Sequence, residues 1–151
     1  MAMTELKGQE LGTTTVTIER GPVRVFAAAV KDDAPAYRGG DQAPVPPTFP
    51  FAMTYWGSSG QGGAAGLPIE KLRGPGRMLL HGEQEFEYHR TPRVGDVLEG
   101  VARVADVYEK DSGSSTMEFY VTETEWRDAA SGDPVVTARF TLIVRAAKPK
   151  A

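Results

Sequence analysis

Val23-Arg24-Val25-Phe26-Ala27-Ala28-Ala29-Val30-Lys31-Asp32-Asp33-Ala34-Pro35-Ala36-Tyr37 is the stretch whose reading decides the fold. Its first half reads as a short helix, apolar almost all the way round, with Pro22 at the first helical position and an end near Val30 or Lys31. A helix with no polar face must be wrapped by other elements. Asp32 and Asp33 stand at its C-terminal end, where the macrodipole opposes negative charge. A violated local preference of this kind marks a place to look for function. Turn-forming aspartates ahead of Pro35 are the structural alternative.

Before this helix, Thr13 to Glu19 is rich in β-branched residues and reads as a first strand, ended by Gly21-Pro22. Residues 1–12 are polar and read as a loosely held terminus. After it, Arg38 to Thr48 holds too many prolines for regular structure. Thr48 then caps a short helix running through Phe51, Met53, Tyr55 and Trp56. Gly57 to Gly76 is a Gly/Ser/Ala-rich loop, with one helical turn expected at Leu67 to Leu72.

From Met78 the pattern changes to period two. Strands are expected at Met78–Arg90, Val97–Tyr108, Thr116–Arg127 and Pro134–Arg145, joined by short turns into an antiparallel meander. One apolar helix and one sheet with a single apolar face combine best when the sheet curls around the helix. The expected class is therefore α+β, a single hot-dog domain over 10–146 with a tail at 147–151. Its open sheet edges predict a dimer.

A chain of 151 residues, 40% hydrophobic and 25% charged, suits one globular domain. The net charge of -3 offers no basic footprint for nucleic acid and no polybasic membrane patch. No apolar run reaches the roughly 18–20 residues of a membrane span, and no signal-peptide pattern opens the chain. The cytoplasm is the expected location. The absence of cysteine removes disulfides, thiolate chemistry and Cys-ligated zinc.

Gly60 to Gly66 lacks the spacing of a nucleotide-binding loop and no Gly-Lys-Ser/Thr follows it. His81 and His89, the two histidines, lie eight residues apart on an expected strand, roughly 26 Å, so they share no metal. His89 reads as a solvated strand end. His81 reaches a cleft only if Gly82 forms a bulge. No Gly-x-Ser-x-Gly elbow is present.

What remains is Asp32, Tyr37 and the Pro46-Pro47-Thr48-Phe49 turn. Phe26 to Tyr37 resembles the motif Phe-Ala-x-Ala-x-Gly-Asp-x-Asn-Pro-x-His/Tyr of MaoC-like hydratases and dehydratases. Pro46-Pro47-Thr48-Phe49 resembles that family's Ala-Pro-Pro-Thr-Phe segment. His81 to Asp96 resembles its strand and turn ending in Pro-x-x-x-Gly-Asp. The likeness is nearest to the N-terminal-type MaoC dehydratase domain.

The resemblance implies reversible hydration of a trans-2-enoyl thioester, on CoA or acyl carrier protein, to an (R)-3-hydroxyacyl thioester; no cofactor and no metal are expected. Such chemistry needs a base, an acid and a donor polarising the carbonyl. It implies Asp32, Tyr37 and also His81 as catalytic candidates. Pro47, Thr48, Phe49, His81, Gly82 and Gln84 are the implied substrate contacts. In active members an Asp and a His five residues later do the acid–base work. Here Tyr37 fills the His position, Ala34 the Asn position and Lys31 the Gly position. A phenol near pKa 10 is a poor base beside imidazole near 6.5. In the resembled family, Tyr at this position goes with subunits that pair with a catalytic hot-dog subunit and shape the acyl tunnel. A self-sufficient homodimer, a non-catalytic acyl-thioester binding module and a hot-dog thioesterase are the alternatives.

Overall fold

The computed structural model describes residues 1–56 and 66–148. Most of the Gly-rich loop, residues 57–65, and residues 149–151 of the expected tail lie outside the described residues. The elements are β1 (Glu10–Thr17), α1 (Arg20–Ala29), α2 (Phe49–Trp56), α3 (Ile69–Leu72), β2 (Arg77–Tyr88), β3 (Val97–Ser112), β4 (Ser115–Asp128) and β5 (Pro134–Ala147). Single 3₁₀ turns sit at Thr4–Leu6 and Pro35–Arg38. Pro22 is the third helical residue of α1, not the first. It is tolerated there because the first-turn N–H groups have no intrahelical partner.

The five strands form one antiparallel sheet in the order β1-β3-β4-β5-β2. The four-strand meander is thereby corrected. β3, β4 and β5 follow one another, but β2 pairs with β5, Tyr88 opposite Val136 and Arg77 opposite Ala146. The Thr91–Asp96 segment is a crossing over the sheet's end, not a hairpin. Alternation specifies which face a residue takes, not which strand lies beside it. Arg90 secures the crossing by ion pairs to Asp96 at 2.6 Å and Asp128 at 3.2 Å.

The helix expected at the centre is also corrected. α1 buries Val23 and Ala27, while Val25 is 65% and Val30 48% exposed. α2 takes the central place instead, burying Phe49, Pro50, Ala52 and Met53. Its sequence, Phe-Pro-Phe-Ala-Met-Thr-Tyr-Trp, has no charge, whereas α1 carries Arg20 and Arg24. α2 packs on the concave face among Leu98, Trp126 and Val136. The class stands as expected, an α+β single hot-dog domain in which a sheet curves about a helix.

At the other end the concave face is closed by the N-terminal turn and α3. Ala2, Leu6, Leu67 and Leu72 pack with Tyr120, Leu142 and Val144. The terminus expected to be loose is therefore part of the core. Glu118, fully buried, is held there by Arg77 at 2.8 Å and the Tyr120 hydroxyl at 2.8 Å. Burial alone raises its pKa. The bonds from Arg77, Tyr120 and the terminal amine outweigh that and hold the carboxyl below its ordinary value.

Candidate functional site

The end of α1 positions the first pair of candidates. The Lys31 N–H bonds the Ala28 carbonyl at 3.1 Å and the Asp32 N–H bonds the Ala27 carbonyl at 2.9 Å. These two bonds are a Schellman cap, whose turning residue is left-handed. That residue is Lys31, at φ 58°. The cap swings Asp32 off the helix axis, and Asp32 Oδ1 accepts the Ala34 N–H at 3.1 Å. The aspartate placed against the macrodipole thus does turn-forming work, as the structural alternative had it.

The Pro35–Arg38 turn brings Tyr37 to the same place. Burial first, then the Asp32 charge and a hydrogen bond to it, push the Tyr37 phenol above its ordinary value. At neutral pH a phenol raised in this way keeps its proton and is a poor base. Asp32 and Tyr37 line a cavity of about 660 Å³ with Arg24, Ala27, Ala28 and Arg38. Arg24 Nη2 ties α1 to the turn by donating to the Arg38 carbonyl at 3.0 Å.

The second group lies on the concave face beneath α2. His81 pairs with Leu142 and Glu83 with Thr141, so the register slips at Gly82. This bulge turns His81 and Gln84 to one side of the sheet, although the numbering alone puts them on opposite sides. The His81 ring lies 5.5 Å from the ring of Phe51 in α2 and 4.7 Å from that of Phe140. A Cβ at Gly82 would stand 2.5 Å from Cδ1 of Ile143, so a larger residue there would have to displace that side chain.

The Pro47-Thr48-Phe49 turn joins the two groups through the core. The Tyr88 hydroxyl donates to the Pro47 carbonyl, and burial pushes that phenol to about 12. Thr48 is exposed. Phe49 is buried edge-on against Phe26 at 5.5 Å and stacked on Trp56 at 5.9 Å. Its ring therefore packs helix to helix. Among the described residues, none of Pro47, Thr48, Phe49, His81, Gly82 or Gln84 lines the cavity of Asp32 and Tyr37. The candidate site is in two halves within one chain.

Sequence reading missed Trp126. It shares a small pocket with Gln84, Phe51 and Phe140. The signal was available in β4, where Tyr120, Thr122, Thr124 and Trp126 alternate with Met117, Phe119 and Val121. The more polar set is the one that faces α2. Among the described residues no cluster of three or more His, Asp or Glu side chains is placed to hold a metal.

Comparison with known proteins bears on this geometry. The sequence profile of the FAS1-like, dehydratase domain region matches residues 5–138. A UPF0336 protein of Streptomyces coelicolor is 33% identical over 146 residues, spanning 90% of this chain and 89% of its own. Among solved structures, the chain is similar to one from the C-terminally truncated HadBC (3R-hydroxyacyl-ACP dehydratase) complex of Mycobacterium tuberculosis. The TM-score is 0.68 at 22% identity, covering 91% of this chain and 96% of that one. A MaoC-like dehydratase gives 0.68 at 20% identity, over 91% of this chain and 41% of the other. A hot-dog-like protein from Thermanaerovibrio acidaminovorans gives 0.58 at 16% identity, over 97% and 89%. At these identities the structural likeness is one of fold.

Proposed function

The chain belongs to the FAS1-like dehydratase domain region family, and from that premise we propose that it is one subunit of an (R)-specific enoyl-thioester hydratase / 3-hydroxyacyl-thioester dehydratase. Asp32, Tyr37 and the open side of α1 face a second hot-dog subunit that brings an intact Asp–His pair. Gln84, His81 and the Pro47–Phe49 turn shape the acyl path from this side. The substrate is an acyl thioester of CoA or of acyl carrier protein.

The observation that carries the reading is that Tyr37, where the resembled motif has His, lines one cavity with Asp32. A phenol raised by burial and by its carboxylate neighbour keeps its proton, so this half of the site has no base of imidazole strength. Two facts support the partner. α1 leaves Val25 and Val30 uncovered, and the HadBC structure is a complex.

The experiment is hydration of a short trans-2-enoyl-CoA by the purified chain, alone and with a hot-dog subunit bearing the Asp–His pair. Alone, the rate stays at background. The complex turns over, loses about 10²–10⁴ in rate when the partner's His is removed, and keeps its rate in Tyr37→Phe. Turnover by the chain alone, abolished in Asp32→Ala and in His81→Ala, overturns the subunit reading. It would establish the second reading, a self-sufficient homodimer, which the Gly82 bulge favours by turning His81 onto the concave face.

A further inference from the structure

We infer that the small pocket between α2 and the concave face is a binding site for one hydroxyl-sized group, held by the indole N–H of Trp126 and the amide oxygen of Gln84. Trp126 is 1% exposed, and both Trp126 Nε1 and Gln84 Oε1 are buried without a hydrogen-bond partner in the protein. They are the two buried side-chain polar atoms in that condition among the described residues, and both residues line the same pocket. One is a donor and the other an acceptor. A single O–H group accepts from the first and donates to the second, which neither protein atom does for the other.

Chemistry and size agree. Gln84 Nε2 is committed to the Arg139 carbonyl at 2.9 Å, which leaves the amide oxygen as its unsatisfied atom. The six-membered ring of Trp126 lies over Gly100, where a Cβ would stand 2.7 Å from Cε3 and Cζ3. The pocket holds about 20 Å³, against the roughly 10–15 Å³ that one water requires. Leaving both buried atoms without a partner forfeits the hydrogen bonds each makes to water in the unfolded chain, a reason for the pair to be occupied.

The O–H has two sources: a resident water, or a hydroxyl on the distal part of an acyl chain that displaces it. The second source rests on the acyl-thioester reading above; the first does not. The test uses the ¹⁵N-labelled full chain, in which Trp56 is the one other indole. We expect a water cross-relaxation peak at the Trp126 indole N–H and a shift of that resonance in Gln84→Leu, with Trp56 unmoved. A Trp126 indole with no water peak and no response to Gln84→Leu overturns the site.

Acyl-CoA chains of equal length, one ending in a methyl and one in a hydroxyl, are then titrated into the chain assembled with the Asp–His subunit. Roughly tenfold tighter binding of the hydroxylated chain with loss of the water peak, a preference erased in Trp126→Phe, assigns the site to substrate hydroxyls. Equal binding with the water peak retained assigns it to structural water. Binding of neither chain, with the water peak present, upholds the site and overturns the acyl-thioester reading instead.

Discussion

α1 and α2 are both short and rich in apolar residues, yet the chain buries the second far more completely. α2 places four of its eight residues in the core; α1 places two of ten there. The difference follows from what each helix meets. α2 lies in the curve of the sheet, with Leu98, Trp126 and Val136 in its core cluster. α1 meets α2 edge-on through Phe26, buries Val23 and Ala27, and turns Val25 outward. An apolar helix therefore identifies a demand for burial without saying which chain supplies it.

The largest expected effect separates the helices directly. Met53→Ala in α2, at a fully buried side chain, should cost about 2–5 kcal/mol of stability in urea unfolding. If it costs as little as a surface change, α2 is not the packed helix. Glu118→Gln probes the far end of the concave face and should cost about 1.5–3 kcal/mol through its bonds to charged groups. Because the folded pKa is lowered, this contribution is complete above the unfolded value of about 4.3. It is lost as pH falls through the folded value. The unfolding midpoint should fall less steeply with acid in the variant than in the parent, and parallel curves would refute the assignment.

Lys31→Gly relaxes the left-handed cap at the end of α1 and should raise stability by about 1 kcal/mol. A loss would mean that the lysine side chain contributes more than its backbone costs. The smallest effect is expected at Val25→Glu, within about 0.5 kcal/mol for the chain alone. If the proposed Asp–His subunit docks on α1, the same variant should abolish co-elution with it in gel filtration, and retained co-elution would place the partner elsewhere.

Much of this architecture is written in local pattern. The strands β3, β4 and β5 and the helix at Thr48 are legible because alternation and caps are properties of neighbouring residues. The position of β2 beside β5 is not, since register with a distant strand leaves no local trace. The bulge that turns His81 inward was legible only as a glycine, and the Ile143 side chain it lies against comes from another strand. Asp32 and Tyr37 were found by motif, and the cap explains why that motif carries glycine where this chain has Lys31. Trp126 was overlooked because a tryptophan on an alternating strand reads as core.

The crossing at Thr91–Asp96 also sets the order of folding. Every β2–β5 pair closes a loop that encloses β3 and β4, so β2 gains its partner only after the last strand has been synthesised. Long-range closure of this kind slows folding. Until then β2 offers unpaired edges and its exposed Met78 and Leu80 to other chains, a window for aggregation. Production of this chain is then limited first by kinetics, before equilibrium stability matters.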